Sequence, residues 1–262
     1  MVECQKKIWY NYTDYARRTI ALCGKGAAGM EYTVKGGRKL ENIRISRLFD
    51  LEHTMARSLF ERFEYPWEVL PHIKEFILET GKTLSADEYY MPAENVWISK
   101  KAKVAPTASI EGPVIICEDA DIKHCAFIRG GVLVGRGAVV GNSTEVKNAI
   151  LFDEAKVPHF NYMGDSVFGH GAHMGAGCVT SNLKSDKTLV VVKGDGYAHE
   201  TGLKKFGAML GDFVEIGCNS VLNPGTVIGR RSSVYPTSSV RGVIPEDHIY
   251  KAAGNIVPRK KS

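Results

Sequence analysis

The sequence has no long hydrophobic run, and its few cysteines are scattered. Its 262 residues include no apolar stretch approaching the roughly 18 residues of a membrane-spanning helix, so no membrane span is predicted. None of the six cysteines belongs to a Cys-x-x-Cys pair, which disfavours a zinc site and a disulfide framework and predicts the reduced thiols of a cytoplasmic protein. The first seven residues carry charge without a following apolar stretch, so we expect no signal peptide.

Strong net charge is also lacking. The 34 basic and 29 acidic residues leave +5, which is too small to predict a nucleic-acid partner. Residues 1–97 are balanced, so the whole excess lies in 98–262. A modest positive field there suits a small anionic substrate or cofactor, although scattered surface lysines would produce the same excess.

A nucleotide-binding fingerprint is present only in part. Gly24, Gly26 and Gly29 follow an apolar segment and match G-x-G-x-x-G. A dinucleotide site would also need a helix directly after the glycines and an acidic residue at the end of a second strand. The residues that follow are typical of a strand and a turn, so we predict a loop here and no phosphate cradle.

The sequence does contain a repeat of six residues. An aliphatic residue recurs every six positions over 98–146, and the same spacing returns over 210–240. Between these two ranges the phase slips by one residue twice, at Leu151 and at Phe168. Glycine or another small residue often follows the aliphatic one.

A spacing of six fits neither an α-helix nor a strand with alternating side chains. It fits a short strand and a tight corner, repeated three times per triangular coil, so that inward side chains stack on residues 18 positions away. A β-sandwich would place its turns at wider and less regular intervals. We therefore predict a mainly β protein, a left-handed parallel β-helix of about seven coils over 98–241.

The remaining segments flank this solenoid. Helical spacing over 47–80 predicts a helical region within 1–97, which we expect to cap the open end of the solenoid, where strand edges would be exposed. Residues 242–262 would cap the other end. The polar stretch 181–209 predicts a loop that leaves the solenoid, and such excursions are commonly binding loops.

The coil spacing gathers polar residues on one edge. Arg129 and Lys147 each follow an inward aliphatic residue and lie 18 positions apart, so we expect them to stack about 4.8 Å apart on successive coils. Two like charges in one column are costly unless an anion lies close to them. The same edge is predicted to receive four more polar residues: Glu145, His159, Tyr162 and Asn182. Glu145 is open to two interpretations, a substrate contact or a neutralising partner of Lys147.

These residues resemble a known family. The resemblance is carried by Lys156-Val-Pro-His-Phe-Asn-Tyr-Met-Gly-Asp165, Met174-Gly-Ala-Gly, Arg129-Gly-Gly and Gly141-Asn-Ser-Thr-Glu-Val-Lys147. Over about 98–240 the chain is similar to the acetyltransferase domain of the bifunctional glucosamine-1-phosphate acetyltransferase/uridylyltransferase enzymes. That resemblance implies a homotrimer with its site between subunits, acetyl-CoA as co-substrate without a metal, and an amino-sugar phosphate or a nucleotide-linked amino sugar as acceptor.

The resemblance also implies roles for single residues. His159 falls on the family's general base, and an imidazole with a pKa of about 6.5 suits removal of a proton from an attacking amine. Arg129 and Lys147 fall on the residues that grip the sugar phosphate. Four more residues are expected to contact the substrate: Glu145, Tyr162, His173 and Asn182. Three are expected on the acetyl-CoA side: Ala176, Cys218 and Pro236.

The chain departs from the family in several places. His173 stands where the family usually has Asn, and Leu183-Lys184 stands where Tyr-Asp is usual. The basic C-terminal residue that contacts CoA has no clear counterpart, and the candidates for it are Lys251, Arg259 and Lys260. The residues ahead of the solenoid are too few for the family's nucleotidyltransferase domain, so we do not expect uridylyl transfer by this chain.

Two other functions remain as alternatives. The solenoid could be a non-catalytic module that trimerises or regulates a sugar-nucleotide pyrophosphorylase. It could also be a carbonic anhydrase of the γ class, which uses the same solenoid with three zinc-binding histidines. That site needs two histidines five residues apart on one coil, whereas His170 and His173 are three apart, so we do not expect a metal site.

Overall fold

The computed structural model describes residues 41–260. The G-x-G-x-x-G segment and the first forty residues lie outside the described range. Within it, short parallel strands stack in register to form a solenoid with three faces. The predicted left-handed parallel β-helix is confirmed.

The three faces follow one another along each coil. Face 1 contains β2 (Val96–Ser99), β5 (Val114–Ile116), β8 (Val132–Val134), β17 (Ala208–Leu210), β20 (Thr226–Ile228) and β23 (Val243–Ile244). Face 2 contains β3 (Lys103–Val104), β6 (Asp121–Ile122), β9 (Val139–Asn142), β11 (Lys156–His159), β13 (His173–Met174), β18 (Glu215–Ile216), β21 (Ser233–Val234) and β24 (His248–Ala252). Face 3 contains β4 (Ser109–Glu111), β7 (Phe127–Arg129), β14 (Val179–Thr180), β19 (Val221–Leu222) and β22 (Ser239–Val240).

Two longer strands cross from face 3 to face 1. They are β10 (Glu145–Leu151) and β12 (Tyr162–Phe168), and they pair with each other in parallel along their whole length. These strands explain both phase slips, because the chain turns this corner on a single residue in the left-handed backbone region, Asn148 at φ 46° and Asp165 at φ 46°. One residue fewer is therefore needed between the inward residues of faces 3 and 1.

The solenoid core consists of the inward aliphatic side chains that the repeat predicts. Ile116, Ile128 and Val140, for example, are fully buried. The parallel ladder continues past Val240 through β23 and β24, so the coil count exceeds the predicted seven. It continues because Ile244 and Tyr250 occupy inward positions of the same core.

Short antiparallel strands lie at both ends of the sheets. β1 (Tyr89–Ala93) pairs antiparallel with β2 at one end, and β25 (Asn255–Pro258) pairs antiparallel with β24 at the other. An antiparallel neighbour satisfies the backbone groups that a parallel end strand would expose. At the first end this cover comes from β1 and not from the predicted helical cap.

The helical segment lies instead along the side of face 1. It contains α1 (Ile45–Leu48), α2 (Arg57–Phe60), α3 (Ile73–Gly81) and two 3-10 helices, Leu51–His53 and Pro66–His72. Its apolar residues form a second core with the outward side chains of face 1, among them Ile115, Leu133, Ile150 and Val167. The expectation of an end cap is therefore corrected: face 1 is apolar on both sides, so its outer side must also be covered. No helix in the described range is long and apolar enough to span a bilayer.

The predicted excursion from the solenoid also packs on this covered side. It carries a hairpin of β15 (Val191–Gly194) and β16 (Tyr197–Glu200). Val190, Val192 and Phe206 are buried in the second core. His199 lies against Tyr65 and Trp67, with ring centroids 4.6 and 5.4 Å apart.

Candidate active site

Face 3 carries a column of polar side chains on its outer surface. Arg129 Nη1 donates to Glu145 Oε1 at 2.7 Å, and Glu145 lies opposite Tyr162 in the β10–β12 register. Lys147 is half-buried, follows Val146 and lies opposite Gly164. The structure thus pairs Glu145 with Arg129 and not with Lys147, which leaves the ammonium of Lys147 without a carboxylate partner among residues 41–260.

A buried carboxylate organises the corner between faces 3 and 1. Asp165 is only 6% exposed and accepts hydrogen bonds from Asn148 Nδ2 at 2.9 Å and from Asn182 Nδ2. The same Asn182 amide group lies 3.3 Å from the Tyr162 hydroxyl, to which it donates. This network holds Tyr162 and Asn182, two predicted substrate contacts, against each other.

The pKa of the Tyr162 hydroxyl is raised. Burial is the largest cause, followed by the negative charges of Asp165 and Glu145. Tyr162 therefore remains protonated in the neutral range and can donate a hydrogen bond to a substrate oxygen.

Sequence reasoning missed Asp165 and Asn148. Both stand at the corner where the repeat loses a residue, so the two phase slips were a signal that could have located them. A left-handed backbone at a non-glycine residue favours Asn and Asp, because their short side chains bond locally.

His159 lies on the other side of face 3, at the corner where face 2 ends. Its side chain is exposed and has no partner among residues 41–260, whereas its backbone N–H donates to Asn161 Oδ1 at 2.9 Å. Asn161 is buried and donates from Nδ2 to the carbonyl of Gly175 at 2.7 Å. The corner backbone is thus held by Asn161, while the imidazole stays open to solvent.

On the coil before this corner, position 141 must be a glycine. A side chain there would place its Cβ 1.6 Å from the Pro158 carbonyl oxygen, so only glycine lets the Pro158-His159 corner approach the coil before it.

The three residues expected on the acetyl-CoA side form one column beneath His159. The Gly177 N–H donates to the His159 carbonyl at 3.0 Å, and the Asn219 N–H donates to the Ala176 carbonyl at 2.8 Å. The Thr237 N–H in turn donates to the Cys218 carbonyl at 2.8 Å. The column therefore runs down the corner, one residue per coil, as His159, Ala176, Cys218 and Pro236.

This column fits an extended co-substrate. Below His159 the side chains are small or short, and those of Cys218 and Pro236 are exposed. They line a strip of surface about three coils long, or roughly 14 Å at the spacing of neighbouring strands. Acyl transfer requires the thioester end to lie next to His159.

Some predicted residues lie elsewhere. His173 lies on face 2, where its Nδ1 is 2.8 Å from Glu215 Oε2, and within this chain it does not contact the face 3 residues. Lys251 lies over the Tyr235 ring at 5.9 Å, and Arg259 donates to the Arg231 carbonyl at 2.9 Å. Within the described range, no three His, Cys, Asp or Glu side chains are grouped as metal ligands would be.

The arrangement can support transfer of an acyl group to an amine. Along one face and its two corners it presents a protonated phenol, an amide, and an imidazole and an ammonium that have no partner within the described range. The imidazole can accept a proton, while the other three can bind a polar, anionic substrate.

Known proteins similar to this chain include bifunctional enzymes. The "Bifunctional protein GlmU" of Methanococcus maripaludis (strain S2) is 30% identical over 244 residues, covering 85% of this chain and 58% of the relative. The "Bifunctional sugar-1-phosphate nucleotidylyltransferase/acetyltransferase" of Sulfurisphaera tokodaii is 30% identical over 233 residues, covering 81% and 57%. The resemblance read from the sequence is confirmed, and the chain spans less than three fifths of the length of these two relatives.

Solved structures and a family model also match. A variant of AntD, an N-acyltransferase from Bacillus cereus in complex with dTDP-4-amino-4,6-dideoxyglucose and coenzyme A, aligns with 64% of this chain and 83% of its own at 20% identity and a TM-score of 0.34. The family model described as the GMPPB C-terminal domain matches residues 110–248, which is more than half of the chain. The chain belongs to the GMPPB C-terminal domain family.

Proposed function

We propose that this protein is a CoA-dependent N-acyltransferase, using acetyl-CoA to acetylate an amino-sugar phosphate or a nucleotide-linked amino sugar. One observation carries the proposal: the imidazole of His159, which has no partner among residues 41–260, lies at the top of the Ala176, Cys218 and Pro236 column and beside the polar outer surface of face 3.

The reaction transfers an acetyl group from sulfur to nitrogen. Acetyl-CoA supplies the activated thioester. The acceptor reacts as its neutral amine: the nitrogen lone pair attacks the thioester carbonyl carbon, and His159 removes a proton from that nitrogen as the bond forms. The C–N bond forms, the C–S bond breaks, and the protonated imidazole returns its proton to the departing CoA sulfur. A backbone N–H along the corner would stabilise the negative oxygen as it develops.

The residues of face 3 bind and orient the acceptor. Lys147 offers a fixed positive charge to its phosphate, and Arg129 adds a second one that is partly compensated by Glu145. Tyr162 and Asn182 hold sugar hydroxyls, because Asn182 donates both to Asp165 and to the Tyr162 hydroxyl and so fixes the pair. A positioned acceptor gains rate from orientation as well as from the base.

We also propose that the protein assembles as a homotrimer through face 3. Along its outer surface, Phe127 and Val179 are half-buried and Val221 is 38% exposed, so apolar area beside the polar column is left for a partner. A second copy packed there would enclose His159 and complete the site between subunits. The cytoplasmic location expected from the sequence stays a prediction.

The direct test is an assay of thiol release. The full chain is incubated with acetyl-CoA and a panel of amino sugars, including glucosamine 1-phosphate and nucleotide-linked amino sugars, and free CoA thiol is followed over time. Lys147→Gln should raise the KM for phosphate-bearing acceptors, since it removes the positive charge without changing the backbone. No thiol release with any acceptor, together with no CoA binding by calorimetry, would contradict the proposal.

A second candidate function is that of a non-catalytic module. The family model is that of a C-terminal domain, and the chain spans only part of its bifunctional relatives. Such a module would assemble or regulate a sugar-nucleotide enzyme without chemistry at His159. A His159→Ala variant that keeps full function in cells would favour this module, and loss of function would favour catalysis.

A further inference from the structure

A small basic cavity lies on the corner between faces 3 and 1, next to the β15–β16 hairpin. Its volume is about 280 Å³. Its lining consists of Lys184, Val191, Lys193, Pro224, Arg241 and Gly242. Three of these side chains are cations, and none is a carboxylate. The three cations come from three separate segments, namely the start of the excursion, strand β15 and the corner after β22.

The contact between hairpin and solenoid is close. A side chain on Gly242, at φ 78°, would place its Cβ 2.5 Å from the Lys193 carbonyl oxygen. At Gly225, at φ 81° on the previous coil, a Cβ would lie 2.8 Å from Val190 Cγ1 and 3.3 Å from the Val191 carbonyl oxygen. Two glycines on successive coils therefore let the hairpin backbone lie flat against the corner, which fixes Lys193 opposite Arg241.

The positive charges of this cavity are poorly compensated. Lys184 forms an ion pair with Asp186 at 3.3 Å, but Lys193 and Arg241 have no carboxylate partner among residues 41–260. Lys101 and Arg231, by contrast, are paired with Glu118 and Asp247. Because like charges repel, their convergence on one concave site favours an anion within it.

We propose that this cavity binds the phosphate group of a phosphate ester. Two lysine ammonium groups and one guanidinium provide the donors that phosphate oxygens accept, and Arg241 can do so with two parallel bonds. The cavity lies away from the point of acyl transfer, because Arg241 lies on the coil of Pro236, about three coils from His159.

The proposed function offers two sources of that phosphate, and this part of the inference rests on it. One is CoA, whose phosphates would lie near the coil of Pro236 when its thioester lies at His159. In a trimer, the basic cavity of a neighbouring copy would then face them. The other is a second molecule of sugar phosphate, bound in the cavity independently of the acceptor at Lys147. The chemistry recognised is the same in both.

Inorganic pyrophosphate is the probe for the site itself. Calorimetric titration of the full chain at low ionic strength should show binding, because exposed charges are least screened there. The double variant Lys193→Gln/Arg241→Gln should weaken binding at least fivefold. Lys187→Gln, which removes a cation of the same excursion outside the cavity, should change binding less than twofold.

Two results would overturn the site. One is no binding to the wild-type chain, and the other is equal binding to the double variant. Binding that survives the double substitution but falls in Lys147→Gln would place the anion on face 3 and would also contradict the proposal. None of these measurements requires acyl transfer, so the site can stand even if the proposed function fails.

The two sources are separated with the same double variant. If the phosphate comes from CoA, the variant should bind CoA at least fivefold more weakly than the wild type and should bind glucosamine 1-phosphate equally well. If it comes from a second sugar phosphate, the variant should bind glucosamine 1-phosphate in the cavity at least fivefold more weakly and should bind CoA equally well. Unchanged affinity for both would contradict a phosphate-ester ligand.

Discussion

Faces 1 and 3 are built from the same six-residue repeat, yet their outer surfaces are opposite in character. Outward side chains of face 1, such as Ile115, Leu133 and Ile150, are fully buried under the helical segment and the hairpin. The corresponding positions of face 3 hold Glu145, Tyr162 and other residues that are half-buried or exposed. The repeat thus provides two identical inner surfaces, and the outward residues decide which face is closed and which is available for chemistry.

The largest expected effect is on activity, at the corner of face 3 that carries His159. His159→Ala should lower kcat for acyl transfer by about 10²- to 10⁴-fold, the usual contribution of a general base, and should leave the melting temperature unchanged because the imidazole has no partner among residues 41–260. Thiol release and thermal unfolding test the two halves of this statement. His124→Ala, at the same corner two coils away, is the matched control and should retain activity. Equal losses in both variants would remove His159 from its role.

Shortening a side chain that is buried between face 1 and the helical segment should affect stability and not acyl transfer. Ile150→Ala is expected to lower the free energy of unfolding by about 2–5 kcal/mol, because it leaves a cavity between face 1 and the helical segment. Val221→Ala on face 3 is expected to cost less than about 1 kcal/mol in a dissociated subunit, where that side chain is 38% exposed, and more in the proposed trimer, where a partner would cover it. Urea denaturation measures both. Equal costs would mean that face 3 is covered as well, as it would be in an assembly.

Asp165 joins the two faces, so its substitution should affect both properties. Asp165→Asn replaces an acceptor with a group that must also donate, opposite the amides of Asn148 and Asn182. We expect a loss of about 1–3 kcal/mol in the free energy of unfolding and a higher KM for the acceptor sugar. Asn182→Ala, which leaves the Asn148 bond in place, should raise KM with a smaller loss of stability. An Asp165→Asn variant with unchanged KM would limit this residue to a structural role.

The smallest expected effect is a pH dependence of the free energy of unfolding, caused by a histidine on the covered side of face 1. Burial lowers the pKa of His199 below its usual value, where the ring lies against Tyr65 and Trp67. As the pH falls, the unfolded chain therefore takes up a proton at this residue before the folded protein does. The stability that the neutral ring contributes is present above pH about 6.5 and is lost as the pH falls through the pKa of His199 in the folded protein. His199→Gln should flatten the profile of unfolding free energy between pH 7.5 and 5, by less than the effect of Asp165→Asn. His72→Gln is the control, because the His72 ring is stacked on Phe63. An unfolding profile that His199→Gln leaves unchanged would contradict the assignment of this pH dependence to His199.

Much of the site could be read from the repeat because the solenoid converts sequence distance into spatial distance. The column of Arg129 and Lys147 and the pairing of Glu145 opposite Tyr162 follow from coil spacing alone. The choice of ion pair did not follow, since Glu145 reaches either cation and only side-chain direction selects Arg129. Asp165 was missed because the corner residues were treated as turns, although the phase slips marked them.

The covered side was harder to predict. Helical spacing over 47–80 indicated where helices would form but not which surface they would cover. An amphipathic segment can pack on any apolar surface within reach, and both the solenoid end and the outer side of face 1 offer one. The excursion was expected to be a binding loop, whereas Val190, Val192 and Phe206 bury it on face 1, and only the rim of its hairpin contributes to the proposed phosphate cavity.

The sequence by itself determined the solenoid and its three faces, because a strict repeat allows one inward register and translates it along an axis, while the residues of the corner column below His159 came from the resemblance to a known family. Only the tertiary structure decided which face is covered, which carboxylate pairs with Arg129 and that Lys193 and Arg241 line the same cavity. These outcomes depend on contacts between segments far apart in the chain, where packing and side-chain direction, and not local periodicity, select the partner.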